Sequence, residues 1–504
     1  MVCVPIDTAG PDDDDASPTF EDGDERMGEM SDQNDYVMRT ASDRGRLADQ
    51  NDYVMRTASG RGRLADQNDY VMRTMEERRV RFVQLWFTDV LGSLKSLVIT
   101  PAELENALEE GISFDGSAID GFSRQIESDM LANPDANTFE IVPWRTEEPV
   151  ARMFCNVTEF DGTPFLGDPR QVLRRSLDRA GALGYQFFAS SDLEYFYFAD
   201  NDPSRPPKPL DTSSFFDLSA ADAAGDLRRK TISHLEALGI PVRYSHHEEA
   251  PSQQEIDLRY TDALSMADSI MTLRLVVKEV AIERGVYATF MPKPIAGVQG
   301  SGMHTHLSLF RDGNNAFYDA GDPYFLSSTA KQFLAGVLRH AREITAVTNQ
   351  WVNSYKRLVP GYEAPTSVTW ARYNRSALVR VPTAKRNRES STRIEYRAPD
   401  PACNPYLAYA VLLAAGLRGI EQGYELPPEL DNQELTTAQM LTSGIAQLPG
   451  SLSEAVDVME ASELVRDALG EHVFSWFIRN KRVEWTGYKT HVSQFELDRY
   501  LPAL

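Results

Sequence analysis

A chain of 504 residues is long enough for two or more domains and a large core. Its 75 acidic against 51 basic residues, net −24, exclude the basic footprint of a nucleic-acid binder and suit a salt-rich cytosol, where repulsion is screened. Three cysteines without a CxxC pair imply a reducing compartment; no apolar run reaches the roughly 20 residues of a membrane span, and the acidic start is no secretory signal, so a cytoplasmic, non-membrane protein is expected.

Residues 1–74 read unlike the rest. An acidic run (Asp12 to Asp15) opens a stretch with few large apolar residues. The string Asp-Gln-Asn-Asp-Tyr-Val-Met-Arg-Thr begins at Asp32, at Asp49 and at Asp66. The repeat is too short and too hydrophilic for a solenoid, so a disordered, acidic, repeat-containing extension is expected. A partner-binding arm is the functional alternative.

From Met75 the chain reads as globular. Residues 80–88 and 94–100 have strand patterns joined at 89–92, and 101–110 a short helix with Pro at its start. Strands are expected over 138–142 and 150–156, closing a small mixed domain over 75–160. The remainder, 161–504, reads as a large α+β domain. Its expected elements are a helix over 168–182, a long apolar strand over 186–198, helices over 221–238 and 264–283, strands over 302–310, 376–381 and 393–396, and a mostly helical final third.

The segment 291–308 joins a Gly-rich loop (Gly297 to Gly302) to a strand in which His304, His306 and Ser308 share one face. A metal or nucleotide site beside bare backbone is one reading; a glycine hairpin with incidental histidines is the other. Asp192 and Glu194 point to one face of an apolar strand, a costly arrangement unless cations compensate. His246-His247-Glu248 precedes Glu255, and Arg393, Glu395 and Arg397 alternate, a pattern that alone also fits a solvated strand. Carboxylate oxygens with one imidazole suit Mg²⁺ or Mn²⁺ rather than structural Zn²⁺. With Arg357, Arg375, Arg380 and Arg393 the set fits phosphoryl transfer. No Walker A or kinase Gly-rich spacing is present, so any ATP site uses another scaffold.

Over residues 75–504 the chain resembles the type I glutamine synthetases. The resemblance rests on Phe114 to Ile119, His246-His247-Glu248 with Glu255, residues 291–308, Asn353 to Pro365, Asn374 to Ser376, Arg393 to Glu395, Asn404 to Tyr406 and Ala468 to His472. It implies a β-grasp-like domain before a catalytic domain, and an ATP-dependent ligase that makes glutamine through a γ-glutamyl phosphate. Glu194, Glu248 and Glu255 would hold one Mg²⁺ or Mn²⁺; Asp192, His304 and Glu395 would hold the other. Asp115 of a neighbouring subunit would deprotonate the ammonium, and Glu363 would close the site. Gln299, Gly300, Arg357 and Arg397 would bind glutamate. His306, Ser308, Arg375, Arg380 and Arg393 would lie along ATP, and Arg124 would serve feedback regulation. The implied assembly is a dodecamer with shared sites, with a small regulatory protein as a further partner.

The chain departs from the family pattern at Asp192 (usually Glu), Phe215 (Tyr), Ala118 (Ser), Gln299 (Asn), Arg243 (Glu) and Glu249 (apolar). Phe215 and Ala118 each remove a hydroxyl that could bond an ammonium. Three readings compete on these residues: a glutamine synthetase, a ligase of glutamate to a larger amine such as a polyamine, and a non-catalytic homologue that senses glutamine or nucleotide.

Overall fold

The computed structural model describes residues 60–119, 121, 129–218, 223–383, 389–430, 439 and 442–504. The extension expected over 1–74 therefore lies outside the described residues as far as residue 59. The third copy of the repeat lies in helix α1 (Gly60–Glu77). There Val71 and Met75, one turn apart, are buried in the core of the first domain, and Gln67 Nε2 donates to the Ala136 carbonyl at 3.2 Å. The boundary expected between residues 74 and 75 thus runs through a docked helix. The sequence hid it because only one turn of this polar repeat carries the burial. Deletion of residues 1–59 should leave thermal unfolding unchanged. Deletion of 1–74 also removes Val71, whose full burial is worth about 1.5–3 kcal/mol, and should lower the melting temperature. Equal melting of the two truncated proteins would refute the docking.

In the first domain, β1 (Phe82–Thr88) and β2 (Leu94–Ile99) precede α2 (Leu104–Glu110), β3 (Ile112–Asp115), β4 (Asp129–Pro134), β5 (Glu140–Ile141) and β6 (Val150–Thr158). The sheet order is β2-β1-β6-β4-β3, with β5 also on β6. β1 and β6 run parallel, with Val83 beside Ala151; the other pairs are antiparallel. The strand expected over 138–142 shortens to β5, because the Asp135 carboxylate accepts from Asn137 N and a 3-10 turn at Ala136–Thr138 takes its first residue.

The larger domain opens on α3 (Pro169–Ala182), capped by Asp168. In chain order follow β7 (Gln186–Phe198), α4 (Ala223–Ala237), β8 (Val242–His247), β9 (Gln253–Leu258), β10 (Thr261–Asp262), α5 (Ala263–Glu283), β11 (Tyr287–Thr289), β12 (Met303–Arg311) and β13 (Asn314–Asn315). Then come α6 (Ser328–Arg339), α7 (Ala341–Thr348), α8 (Ser354–Arg357), β14 (Trp370–Ala371), β15 (Val379–Arg380), β16 (Ile394–Tyr396) and α9 (Pro405–Glu421). The C-terminal helices are α10 (Leu452–Glu460), α11 (Glu463–Leu469), α12 (Glu471–Thr490) and α13 (Gln494–Tyr500). The strand expected over 376–381 shrinks to β15.

The central path of the large sheet is β14-β15-β16-β12-β7-β9-β8. Strand alternation gives it two unlike faces. Leu193, Tyr195, Met303, Leu307, Ile256, Ile394 and Tyr396 point to the face packed in the main core with α5, α6 and α9. The residues between them in sequence are the charged ones, and they form the other face. The two domains are joined by buried groups: Arg170 pairs with Asp135 at 3.0 Å and Asp268 at 2.9 Å, and Asn404 Nδ2 donates to the carbonyls of Asp89 and Val90, each at 3.2 Å. Among the described residues no helix is long and apolar enough to cross a membrane.

Candidate active site

The polar face of the large sheet is assembled by register. His304 of β12 lies opposite Asp192 of β7, and His306 opposite Glu395 of β16. Glu194 of β7 lies opposite Glu255 of β9, which in turn faces His246 of β8. Five strands therefore deliver Glu395, His304, His306, Asp192, Glu194, Glu255 and His246 to one surface, and Glu248 follows directly after β8.

Glu194 is held by Gly302 N at 3.0 Å and Gln253 Nε2 at 2.8 Å, and its other oxygen lies 3.6 Å from His304 Nε2. Burial, reinforced by the Glu248 charge, pushes its carboxyl up to about 8. Burial and the neighbouring Glu194, Asp257, Glu248 and Asp192 also raise Glu255 well above its ordinary value. Burial, with Arg397 second, pushes the His304 imidazolium well down, so its ring is neutral and has a nitrogen lone pair to offer. His246 stands 3.4 Å from Glu248 and 3.8 Å from Glu255.

Among the described residues, two groups of three ligand atoms gather within 4.8 Å of one another: His246, Glu248 and Glu255, and Asp192, Glu255 and Asp257. This grouping is not the partition that the resemblance implied. Asp192 accepts from His306 Nε2 at 2.9 Å, and Arg393 Nε donates to His306 Nδ1 at 3.2 Å. An arginine can only donate, so Nδ1 accepts and the proton of His306 sits on Nε2, facing Asp192. Both Glu395 oxygens are taken by guanidiniums, Arg380 at 2.5 Å and Arg397 at 2.7 Å. Burial works against the charge of Glu395, but the neighbouring His306, Arg397, His304 and Arg380 side chains, two of them guanidiniums bonded to it, outweigh burial and hold the carboxyl far below its ordinary range.

The Gly-rich loop is a close-packed cradle. Ser301 N donates to the Pro292 carbonyl at 2.8 Å, and Lys293 N donates to Asn353 Oδ1 at 2.7 Å. A Cβ on Gly300 would stand 2.4 Å from the Pro292 carbonyl, and one on Gly302 2.6 Å from Arg357 Nη2 and 3.0 Å from His304 Nε2. Arg357 is buried and donates to the carbonyls of Arg397, Ala398 and Pro399. Gln299 is half-buried at the lip of this loop, and Ser308 is buried on the site face of β12.

Other sequence-expected residues lie apart from this cluster. Arg375 is exposed, and Glu363 is exposed with a left-handed φ of 54°. Asp115 is exposed at the end of β3 in the first domain, where its carboxylate accepts from Ser117 N at 2.8 Å. Arg124 lies outside the described residues. A cavity of about 860 Å³ opens between the loop at Leu91 to Leu94, α5 and α12, and none of the candidate site residues lines it.

Sequence reasoning passed over Asp257 and Gln253 and left His246 without a role. The signal was the two-residue period through Gln253, Glu255 and Asp257, which a strand reading of 253–258 finds at once. Around His246 stand three aromatic rings: Phe215 at 5.3 Å, Phe216 at 4.7 Å and Tyr244 at 5.8 Å.

The described family of glutamine synthetase β-grasp domains matches residues 79–160, and that of glutamine synthetase catalytic domains matches residues 166–500. The chain belongs to the glutamine synthetase family. The glutamine synthetase of Mycolicibacterium smegmatis is 56% identical over 434 residues, covering 85% of this chain and 97% of that one. That of Thermus thermophilus is 47% identical over 435 residues, with 85% and 97% covered. A solved GmaS–ADP complex superposes with a TM-score of 0.77 at 33% identity, covering 86% of this chain and 99% of that one. The Plasmodium falciparum glutamine synthetase superposes at 0.79 with 24% identity, over 87% and 98% of the two chains, and supports the fold. Glutamine synthetase activity is thus the function of this ligase family member, and the β-grasp and catalytic domains expected from sequence are present.

Proposed function

We propose that this ligase transfers the γ-phosphoryl group of ATP to the γ-carboxylate of L-glutamate and then joins ammonium to the acyl carbon, serving glutamine biosynthesis and nitrogen assimilation in the cytoplasm. The observation that carries the reading is the sheet face on which buried carboxylates converge beside neutral imidazole.

That face fits divalent cations. Asp257 is wholly buried, burial and then the Asp192 charge push its carboxyl up to about 7, and Glu194 and Glu255 are destabilised as anions by burial and by their neighbours. A donor set of carboxylate oxygens with imidazole suits Mg²⁺ or Mn²⁺. Glu194, Glu248 and Glu255, with His246 beside them, would hold one cation; Asp192, His304 and Glu395 would hold the second. When bound, such cations offset charge on the phosphate oxygens during transfer.

The other residues take roles that their positions support. A γ-carboxylate oxygen of glutamate attacks the γ-phosphorus, and ADP leaves. The ammonia nitrogen then attacks the acyl carbon, and phosphate leaves. Gln299 and Gly300 offer loop backbone and amide to glutamate, and Arg357 and Arg397 offer guanidinium charge. Arg380 commits Nε to Glu395, and its terminal nitrogens stay available for a phosphate. Arg375 and Arg393 add charge, while His306 and Ser308 line the nucleotide side. Glu363 closes the site over the acyl phosphate, which water would otherwise hydrolyse. Asp115 deprotonates the ammonium. It lies on the small domain and on none of the strands of the catalytic face, which supports its delivery to another subunit's site. A homo-oligomer with shared sites follows, the dodecamer being the assembly implied by the resemblance, with Arg124 and a small protein partner as regulators.

The aromatic rings around His246 favour a second reading, ligation of a larger amine. Rings beside Glu248 and Glu255 suit a cation that also carries apolar surface. Phosphate release from ATP and glutamate should be compared for ammonium, putrescine, spermidine and short alkylamines, at low and high salt. Turnover with ammonium is expected. Release with polyamines alone would replace the ammonium assignment, and release with no amine would favour the non-catalytic homologue.

A further inference from the structure

Lys293 has no task in the reaction proposed above, yet it is buried between two parts of the site. It lies past the end of β11, in the segment Met291 to Pro294, and is only 9% exposed. Asn353, just before α8, grips its main chain twice. Lys293 N donates to Asn353 Oδ1 at 2.7 Å, and Asn353 Nδ2 donates to the Lys293 carbonyl at 3.1 Å. The side chain then reaches back into the Gly-rich loop, where its ammonium donates to the carbonyl of Val298, the residue before Gln299. The same nitrogen stands 3.9 Å from the centre of the Tyr362 ring.

A buried ammonium is costly unless its protons find acceptors. Here a carbonyl takes one, and the negative face of an aromatic ring meets the charge. Tyr362 directly precedes Glu363. Glu363 is exposed at its left-handed φ of 54°, a conformation that a residue with a side chain keeps only where its surroundings hold it. On one side of it Ala364 and Pro365 are buried. On the other, the half-buried Tyr362 ring has the Lys293 ammonium as its seat. One cation thus touches both the loop proposed to hold glutamate and the segment proposed to close over it.

We propose that Lys293 is a positioning residue that fastens the Glu363 segment to the glutamate loop, so that closure against water depends on that loop being in place. The inference rests on the reading of Glu363 as the closing residue and adds what seats it. An unseated Glu363 leaves the acyl phosphate open to water. Water attacking the acyl carbon returns glutamate and releases phosphate, so ATP is spent with no glutamine made.

The test uses the full chain with ATP, glutamate and ammonium, and counts phosphate released against glutamine formed. The excess of phosphate over glutamine is the leak to water. Lys293→Met keeps the stem and removes the charge. It should raise the leak per turnover about tenfold, the scale of a desolvated cation–π contact. Tyr362→Leu should do the same, and the double variant should leak no more than either single one. A leak like the parent's in Lys293→Met overturns the proposal, as do single effects that multiply in the double variant. Slower turnover with an unchanged leak, the mark of a merely structural lysine, also overturns it. Should Lys293→Met fail to fold, Tyr362→Leu and Tyr362→Phe decide. A raised leak in the first alone supports the seat, and equal leaks in the two overturn it. Glu363→Ala separates the two readings. If it leaks while Lys293→Met does not, this inference alone falls. If Glu363→Ala does not leak, the closing role of Glu363 falls and this inference with it.

Discussion

Glu255→Gln is expected to abolish most ligation while stabilising the fold. Glu255 belongs to both groups of converging ligand atoms, so a neutral isostere weakens every cation held there. Loss of that charge stabilisation is worth about 4 kcal/mol in the transition state, a fall of about a thousandfold in kcat/KM. The same substitution removes an anion that burial and Glu194 both disfavour. Protein treated with chelator should therefore melt higher in the variant than in the parent, an opposition of stability and activity common at functional sites. Turnover like the parent's would remove Glu255 from the mechanism.

The pH dependence of the chelated parent follows from the same crowding. Glu194 is raised from 4.5 to about 8 by burial and then by Glu248. A carboxyl whose folded-state value is raised holds its proton more tightly in the fold than in the unfolded chain. Its effect on folding is neutral below about 4.5 and grows unfavourable as pH climbs towards about 8. Chelated parent should lose stability across that window, Glu194→Gln should flatten the loss, and added Mg²⁺ should reverse it.

Gly302→Ala is expected to cost about a hundredfold in activity with the assembly intact. The new methyl would stand 2.6 Å from Arg357 Nη2, 3.0 Å from His304 Nε2 and 3.2 Å from Glu194 Oε1. All three belong to the site, so whichever yields carries a ligand or a glutamate-binding group out of place. A displacement of about 1 Å is enough for a loss of that size. Overpacking adds about 1–3 kcal/mol of destabilisation. Kinetics with glutamate varied, beside a melting curve, separate the two effects. An unaltered KM and kcat would mean that the loop does not cradle substrate.

Long strands were legible where apolar residues alternate with the functional ones. The expected 186–198 and 302–310 correspond to β7 and β12, because Leu193 and Tyr195 or Met303 and Leu307 mark the core face. The hairpin of β8 and β9 was not legible. Its turn holds Pro251, and Gln253, Gln254, Glu255 and Asp257 are polar residues spent on the site rather than on a core pattern. Expected helices and strands carried names for ligands but no pairing. That Asp192 faces His304 on one side and Asp257 on the other is a matter of register, which only the folded sheet decides. Helix α1 was missed for the opposite reason, since a polar repeat gives no hint that its third copy has a domain surface to meet.

The segment that carries Phe215 and Phe216 is fastened by main chain and turn chemistry. Ser252, at a left-handed φ of 61°, accepts from Leu210 N and Asp211 N through its hydroxyl and donates its own N–H to Asp211, which also bonds His247. Five residues further on, Phe216 N donates to the His247 carbonyl. Neither fastening consults the side chains at 215 and 216. Selection can therefore rewrite those two letters while the carboxylate sheet next door is inherited unchanged.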